Sequence, residues 1–359
     1  MSAEKRTIFL TGATGLVGSY LLKIVLENGH KVYALARSNG EKSARDRVIE
    51  KLKFWDEEVS VDKLKVVEGD ITETDLGINS QIKNKLEKEV EEIFHCAAET
   101  GFNFPLRYVR TVNVNGTKNI LKLALQLHKN GNLKKVNYVS TAYVCGAYKG
   151  KFSESDFNLR QRFNTSYEKS KFEAEILVRN TRKKGIWIDI FRPSIVIGES
   201  KTGKIITFSQ GLYQLFHILK QNIFDFFPSK NYSVNLVPVD ELCKSMLLIA
   251  HKTKMHNKTY HVFSPKTISL EKVLGRASRI LKFKKPKLIN PRDILKYIFS
   301  PIQKVILKKN ILLFNNEVHL DSHWTNSILK GYNFKFSDIN DRIFRRQLFY
   351  LVSCKAAFK

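Results

Sequence analysis

Short apolar runs alternate along the chain with stretches of helical periodicity. The runs that predict β-strands are residues 7–10, 31–37, 65–71, 92–98 and 135–141, with a late strand at 259–263. Between them, apolar residues recur at the three- and four-residue spacing of amphipathic helices, as in 20–26 and 119–125. Strands that alternate with helices in this way predict an α/β fold with a doubly wound parallel sheet.

The first predicted strand leads into a glycine-rich turn, TGATGLVG at residues 11–18, which opens a helix. Glycines let the backbone turn sharply and let a pyrophosphate approach the main-chain N–H groups at the positive end of that helix. The turn therefore predicts a site for a nicotinamide dinucleotide. Its predicted cofactor residues are Gly12, Thr14, Gly15, Leu16, Val17 and Gly18.

The end of the second predicted strand carries Arg37, where an NAD site usually places an acidic residue for the ribose hydroxyls. A cation there favours the 2′-phosphate of NADPH, which a carboxylate would repel. Arg47, in the next helical pattern, is either a second cation for this phosphate or a solvated helix residue. Asp70, after the third strand, either accepts a hydrogen bond from the adenine amino group or caps a turn.

A second group of candidate residues follows the fifth predicted strand. Thr141 ends that strand, and Tyr167 and Lys171 lie four residues apart on one face of a predicted helix. An ammonium group near a phenol lowers the phenol pKa and can also bind the nicotinamide ribose, while a hydroxyl orients the substrate oxygen. We therefore predict Thr141, Tyr167 and Lys171 as the catalytic residues.

Further motifs follow in order: GDI at 69–71, CAAET at 96–100, VNVNGT at 112–117, STAYVCG at 140–146, YEKSK at 167–171 and FRPSIVIGES at 191–200. With the glycine turn, they make the chain resemble the extended short-chain dehydrogenases/reductases, which have a Rossmann fold. STAYVCG, FRPSIVIGES and VNLVPVD at 234–240 most resemble the fatty acyl reductase and thioester reductase branch. The resemblance implies cofactor contacts for Lys171 and also for Ile71, Ala97, Ala98, Asn115, Pro193 and Ser194.

The resemblance implies an NADPH-dependent reductase that converts an acyl thioester, carried by coenzyme A or an acyl-carrier protein, to an aldehyde or an alcohol. Two alternatives stay open. One is an NAD(P)-dependent dehydrogenase or epimerase of a nucleotide-sugar, sterol or ketone that uses the same Tyr167 and Lys171. The other is a cofactor-binding scaffold that has the fold without turnover.

The chain is predicted to have two parts. Residues 1–200 are expected to form the NADP-binding Rossmann domain, and residues 201–359 a smaller substrate-binding region partly interleaved with its sheet. Residues 208–227 are rich in Leu, Ile and Phe, which fits either the wall of an acyl tunnel or ordinary helix core.

The charge balance is strongly basic, since 61 Lys and Arg against 34 Asp and Glu give +27. Such a balance favours acidic partners, such as phosphorylated cofactors, acidic carrier proteins, anionic membranes or nucleic acid, and charge alone does not choose among them. Residues 281–310 carry nine Lys and Arg against one acid. This segment is either a peripheral contact with an anionic membrane or a carrier protein, or a solvated basic face. We expect no nucleic-acid partner.

The four cysteines, at 96, 145, 243 and 354, lack metal-ligand spacing, which is typical of free thiols in a reducing cytoplasm. No apolar run reaches the about 18 residues of a membrane span, and the first strand comes too early for a signal peptide. His319 and His323 have a spacing that can hold a metal on a helix, but no third ligand is identifiable. We therefore expect no metal and a cytoplasmic protein, either free or bound to a membrane surface.

Overall fold

The computed structural model describes residues 4–101, 104–208, 211–253, 255–290, 300, 303 and 317–354. Its strands are β1 (Thr7–Thr11), β2 (Lys31–Ala36), β3 (Leu64–Glu68), β4 (Glu92–His95), β5 (Lys135–Val139), β6 (Gly150–Phe152), β7 (Ile188–Pro193), β8 (Ile195–Ile197), β9 (Phe226–Phe227), β10 (Ser233–Val234), β11 (Leu236–Pro238), β12 (Thr259–Val262), β13 (Ile268–Ser269), β14 (Lys287–Leu288) and β15 (Val318–Leu320).

The α-helices are α1 (Leu16–Glu27), α2 (Ala44–Trp55), α3 (Ser80–Glu89), α4 (Leu106–Arg110), α5 (Gly116–Lys129), α6 (Ser166–Arg182), α7 (Gly211–Lys220), α8 (Val239–Lys252), α9 (Leu270–Leu281), α10 (His323–Gly331) and α11 (Asp341–Ser353). A short π-helical segment, Thr111–Asn115, joins α4 to α5. Short 3₁₀ turns occur at Thr74–Gly77 and Ala142–Cys145.

The centre of the molecule is a seven-stranded parallel sheet in the order β12-β7-β5-β4-β1-β2-β3. The chain winds outward from β1 in one direction through β2 and β3, and in the other through β4, β5, β7 and β12. The strand order therefore reverses between β1 and β4, and the crevice beyond their carboxyl ends is where such sheets bind ligands. The predicted doubly wound α/β fold is confirmed.

Apolar side chains cover both faces of the sheet. Helices α1, α2 and α8 pack on one face, while α3, α5 and α6 pack on the other. A separate apolar cluster joins α7, α9 and α11 beside the sheet. Helix α7 supplies five of its buried side chains, which accounts for much of the apolar content of 208–227 as helix core: Leu212, Tyr213, Leu215, Phe216 and Leu219.

Three predicted strands end earlier than the apolar pattern suggests. The third ends at Glu68, the fourth at His95 and the fifth at Val139, so residues 69–70, 96–98 and 140–141 lie outside the strands. All three segments leave the carboxyl edge of the sheet at the crevice. Strand-like residues continue into them because a loop that lines a buried crevice also needs small or apolar side chains.

The later part of the chain returns to the sheet. Strand β12 pairs with β7 as its outer strand, and α8 packs against α1. Helix α8 begins at Val239, with Pro238 at the N-cap. Asp240, in its first turn, accepts hydrogen bonds from the main-chain N–H of Ser200 at 2.8 Å and from its hydroxyl at 2.7 Å. This carboxylate thereby ties α8 to the chain that follows β8.

The histidine pair does not lie on one helix. His319 is exposed in β15, whereas His323 begins α10. The two side chains therefore do not have the helical spacing that could hold a metal. Among the described residues, no group of three or more His, Cys, Asp or Glu side chains is arranged to hold a metal ion. All four cysteines are free, as expected. Within the part of the chain that the structure describes, no helix is both long and apolar enough to cross a membrane.

Candidate active site

The glycine turn packs so tightly that two of its positions exclude a side chain. Gly12 has φ +79°, and a Cβ there would lie 2.7 Å from the main-chain nitrogen of Ala97. A Cβ on Gly18 would lie 2.1 Å from the carbonyl oxygen of Gly12. These two glycines therefore let β1, α1 and the loop after β4 approach one another closely.

Gly15 has a different role, because it is the N-cap residue of α1. It offers no side-chain cap, and the first turn of α1 contains no acidic residue. The N–H groups at the start of a helix lack intrahelical partners and carry the positive end of the helix dipole. The start of α1 thus fits the pyrophosphate of a dinucleotide, which would satisfy these donors.

Two cavities meet at this turn. The first, which we call the outer cavity, has a volume of about 190 Å³ and lies beyond the carboxyl ends of β1, β2 and β4. The second, the inner cavity, has a volume of about 440 Å³ and extends past β5 and β7 toward α7. Gly12, Thr14 and Gly15 line both, so the two cavities form one crevice along the edge of the sheet.

Arg37, Arg47 and Asp70 form one cluster in the outer cavity. The Arg37 guanidinium donates to Asp70 Oδ2 at 2.9 Å, and Arg47 donates to the main-chain carbonyl of Arg37. Asp70 Oδ1 also accepts from the Thr72 main-chain N–H at 2.8 Å, so this carboxylate caps a turn. Burial raises the pKa of Asp70, but the hydrogen bonds from Thr72 and Arg37 outweigh burial and lower it. The Arg37 side chain remains 63% exposed and faces the cavity.

The inner cavity contains the predicted catalytic residues. Thr141 is buried at the end of β5, and its hydroxyl accepts from the Tyr143 N–H at 3.2 Å. Tyr167 lies in the first turn of α6, which begins with a capping box between Thr165 and Glu168. Burial raises the pKa of the Tyr167 phenol to about 12, although a hydrogen bond with Thr141 acts in the opposite direction. The Tyr167 phenol is therefore neutral at physiological pH.

Lys171 lies one helical turn beyond Tyr167 and is 2% exposed. Its Nζ donates to the carbonyl oxygen of Val139 at 2.8 Å and lies 4.4 Å from the centre of the Tyr138 ring. Burial lowers the pKa of Lys171 to about 7, partly opposed by Glu175. The predicted lowering of the phenol pKa does not prevail in this structure, because burial raises the pKa of Tyr167.

The inner cavity continues beyond these residues along an apolar wall. This wall is formed by side chains from β8, from the following loop and from α7: Ile195, Val196, Ile205, Ile206 and Tyr213. Tyr143 lines the cavity near Thr141. Among the described lining residues, Lys51 and Lys171 carry the charged side chains. The far end of the crevice therefore suits an uncharged group better than a charged one.

The structure brings nearly all the predicted site residues to this crevice. The outer cavity contains Gly12, Thr14, Gly15, Arg37, Arg47, Asp70, Ile71, Ala97 and Ala98. The inner cavity also contains Leu16, Val17, Gly18, Thr141, Tyr167, Lys171, Pro193 and Ser194.

Asn115 is the exception among the predicted site residues. It is exposed at the end of the π-helical segment and lines neither cavity. The other Asn of the motif, Asn113, points inward instead. Asn113 Oδ1 accepts from the Glu99 N–H at 2.8 Å, and its Nδ2 donates to the Ser170 hydroxyl at 2.8 Å. Asn113 thus connects the loop after β4 to α6. The π-helical segment determines which of the two asparagines faces inward.

A family model described as the male sterility protein family of NAD-binding domains matches residues 10–246. The chain belongs to this family. Membership makes it an NAD(P)-dependent oxidoreductase of the extended short-chain dehydrogenase/reductase type and confirms the resemblance found in the sequence motifs.

Relatives of this family member include much longer proteins. It is 27% identical over 94% of its length to the L-2-aminoadipate reductase large subunit of Penicillium chrysogenum, of which it covers 24%. Among solved structures, the terminal R domain of the myxalamid PKS-NRPS pathway superposes with a TM-score of 0.82 at 24% identity, covering 99% of this chain and 92% of that one. A thiolation-reductase di-domain from an archaeal non-ribosomal peptide synthetase gives 0.81 at 21% identity, with 98% and 76% covered.

Sequence reasoning missed several residues of the site in this family member. Tyr143 belongs to the same STAYVCG motif as Thr141. Lys51 lies four residues after Arg47 on the same helix face. Glu175 follows Lys171 at the same spacing and is fully buried. The four-residue periodicity of helices would have identified Lys51 and Glu175. No local pattern marks Ile205 or Tyr213. Tyr213 lies on α7 and Ile205 in the loop before it, so both line the cavity because of how this part of the chain packs.

Proposed function

We propose that this chain uses NADPH to reduce an acyl thioester, presented by a carrier protein or by coenzyme A, to an aldehyde. The observation that carries the proposal is the single crevice that joins the glycine turn, the Thr141, Tyr167 and Lys171 set and an apolar wall. The names of the relatives support a carrier-bound substrate, because they include a thiolation-reductase di-domain and an aminoadipate reductase. Further reduction to an alcohol would use the same residues.

The described residues fit a phosphorylated dinucleotide. The uncapped start of α1 would hold the pyrophosphate, and Arg37 with Arg47 would bind the 2′-phosphate. Asp70 lies beside them and would face the adenosine end, while Pro193 and Ser194 would lie beside the nicotinamide. When bound, NADPH supplies the hydride for the thioester carbonyl carbon.

Thr141 and Tyr167 would act on the oxygen of the substrate carbonyl. Both hydroxyl groups would stabilise the oxyanion that develops there, and Tyr167 would donate its proton to it. A phenol that stays protonated at neutral pH suits this direction of proton transfer. Lys171 would bind the ribose and support the charge that Tyr167 then carries. The resulting hemithioacetal loses its thiol when the C–S bond breaks, and the aldehyde remains.

We propose a cytoplasmic location. We also propose that the basic segment 281–310 contacts an acidic carrier protein or an anionic membrane surface. Residues 291–299, 301, 302 and 304–310 of this segment lie outside the described residues. In its described part, Lys284 pairs with Asp225 and Lys285 with Glu271, while Lys282 is exposed at the end of α9.

The test is NADPH oxidation with acyl-CoAs, acyl-carrier proteins, nucleotide-sugars and ketones, in parallel with Tyr167→Phe. We expect turnover with thioesters, and we expect Tyr167→Phe to lower kcat by about 10²- to 10⁴-fold while the Kd of NADPH changes less than about twofold. Tyr332→Phe is the matched control, because the Tyr332 hydroxyl donates to the main-chain carbonyl oxygen of Lys252 on the surface. Turnover confined to sugars or ketones would favour the dehydrogenase alternative, and NADPH binding without turnover would favour the scaffold.

A further inference from the structure

A carboxylate that touches neither cavity lies directly behind the catalytic residues. Glu175 is on α6, one helical turn beyond Lys171, and its side chain is fully buried. Its Oε2 accepts from the Ser140 hydroxyl at 2.8 Å and from Arg192 Nε at 3.2 Å. Its Oε1 accepts from Arg192 at 2.7 Å and from Arg179 Nε at 2.9 Å. Both oxygens are therefore fully used.

Each partner of Glu175 adjoins a residue of the proposed active site. Ser140 directly precedes Thr141 at the end of β5, and Arg192 directly precedes Pro193 at the end of β7. Glu175 shares α6 with Tyr167 and Lys171. A single carboxylate thus joins the three elements whose ends must keep a fixed geometry around the substrate and the nicotinamide.

The Glu175 carboxylate is ionised at neutral pH despite its burial. Burial raises its pKa, but the charges of Arg192 and Arg179 and the hydrogen bond from Ser140 outweigh burial and lower the pKa to about 2. Arg192 is also fully buried and donates to the carbonyl oxygen of Asp156 at 2.9 Å. Buried ions are costly unless they are paired and hydrogen-bonded, and this pair satisfies both conditions.

The same carboxylate is the nearby negative charge that acts on Lys171. Two groups raise the Lys171 pKa, Glu175 and Cys96. The Cys96 thiol is neutral at pH 7, because burial raises its pKa to about 12. His95, whose pKa Lys171 also affects, is neutral too, because burial lowers its pKa to about 3. Tyr138 and Tyr167 complete the surroundings of the amine as uncharged phenols.

We propose that Glu175 is a positioning residue, which fixes Thr141 and Lys171 relative to Pro193 and favours the charged form of the Lys171 amine. This inference deepens the proposed function and rests on it, because it assumes that Lys171 acts as a cation. It assigns Glu175 no contact with substrate or cofactor.

The first test compares Glu175→Gln with the wild type across pH 6 to about pH 9, by kcat/KM and by the Kd of NADPH. Loss of the negative charge should let Lys171 deprotonate earlier, so the alkaline fall in both quantities should move to lower pH by about one unit. Glu173→Gln is the matched control on the same helix, because Glu173 pairs with Arg110 at the surface. Its pH profile should coincide with that of the wild type.

Glu175→Gln also leaves Arg192 buried without its principal counter-ion, which should reduce stability. The double variant Glu175→Gln with Arg192→Met removes both charges of the pair and should recover folding, as measured by thermal unfolding. Its alkaline fall should stay shifted to lower pH. Ser140→Ala keeps both charges and removes only one hydrogen bond, so it should lower kcat about fivefold without moving the pH profile.

A folded double variant with a wild-type pH profile would overturn the electrostatic role of Glu175. If the double variant does not fold, an unchanged kcat in Ser140→Ala would overturn its positioning role. These results are distinguishable from failure of the proposed function. A wild-type protein that reduces no thioester would refute that function, whereas the pH dependence of NADPH binding would still report on Glu175 and Lys171.

Discussion

The preference for NADPH is the prediction that can be worked furthest from the structure. Arg37→Ala should weaken NADPH binding and leave NADH binding nearly unchanged, because the 2′-phosphate is the one difference between the two cofactors at this end of the crevice. Arg37 extends from the end of β2 into the outer cavity, where Asp70 holds its guanidinium. The ion pair with Asp70 orients the side chain but also competes with a phosphate for it.

The expected size of the effect follows from the exposure of Arg37. Hydrogen bonds to charged groups contribute about 1.5 to 3 kcal/mol. The side chain of Arg37 is 63% exposed, so solvent screening places its contribution at the lower end of this range. A loss of about 1.4 kcal/mol corresponds to a tenfold increase in Kd. We therefore expect the Kd of NADPH to rise about tenfold in Arg37→Ala, with less than about a twofold change for NADH.

The assay is the fluorescence titration of both cofactors at low and moderate ionic strength. The effect on NADPH should shrink as salt rises, because the contact is exposed. Arg45→Ala is the matched control, since Arg45 is an exposed cation on α2 that lines neither cavity. Equal weakening of NADPH and NADH by Arg37→Ala, or equal affinity of the wild type for both, would refute the assignment of the 2′-phosphate to Arg37.

Two further predictions concern stability and surface charge. Burial raises the pKa of Glu168 to about 8, so its contribution to stability is fully present below about pH 4.5 and is lost as pH rises through 8. Glu168→Gln should therefore reduce the fall in Tm between pH 5 and pH 9 by on the order of 5 °C, and parallel Tm curves would contradict this. Reversing Lys282, Lys284 and Lys285 to Glu should weaken cosedimentation with anionic vesicles or an acyl-carrier protein at low salt. Unchanged binding would contradict the binding role proposed for the basic segment.

The sheet was predictable because each of its first five strands carries its own apolar signal and ends in a short connection. The position of β12 in the sheet was not predictable, since its partner β7 lies far away in the sequence and α8, which packs on α1, lies between the two strands. The strand ends were also misplaced at Glu68 and His95. There the sequence remains strand-like because the following loops must be small enough to line a crevice.

In the candidate site, motifs located the residues that face the crevice but not the interactions behind them. The four-residue spacing placed Tyr167 and Lys171 on one face of α6 correctly. It did not indicate that burial would control both pKa values, because desolvation depends on side chains from β4 and β5. The choice between Asn113 and Asn115 likewise depends on a π-helical segment, which adds a residue to one turn and shifts the inward face.

The return of the chain to the sheet limits how this protein can be divided. A fragment that stops near residue 200 would expose the outer hydrogen-bonding edge of β7 and the apolar surface of α1 that α8 covers. During synthesis, the nucleotide-binding half therefore stays incomplete until Val262 has left the ribosome. The segment between β7 and β12 must be synthesised before the sheet can close, so the parts of the chain before and after residue 200 fold as one unit.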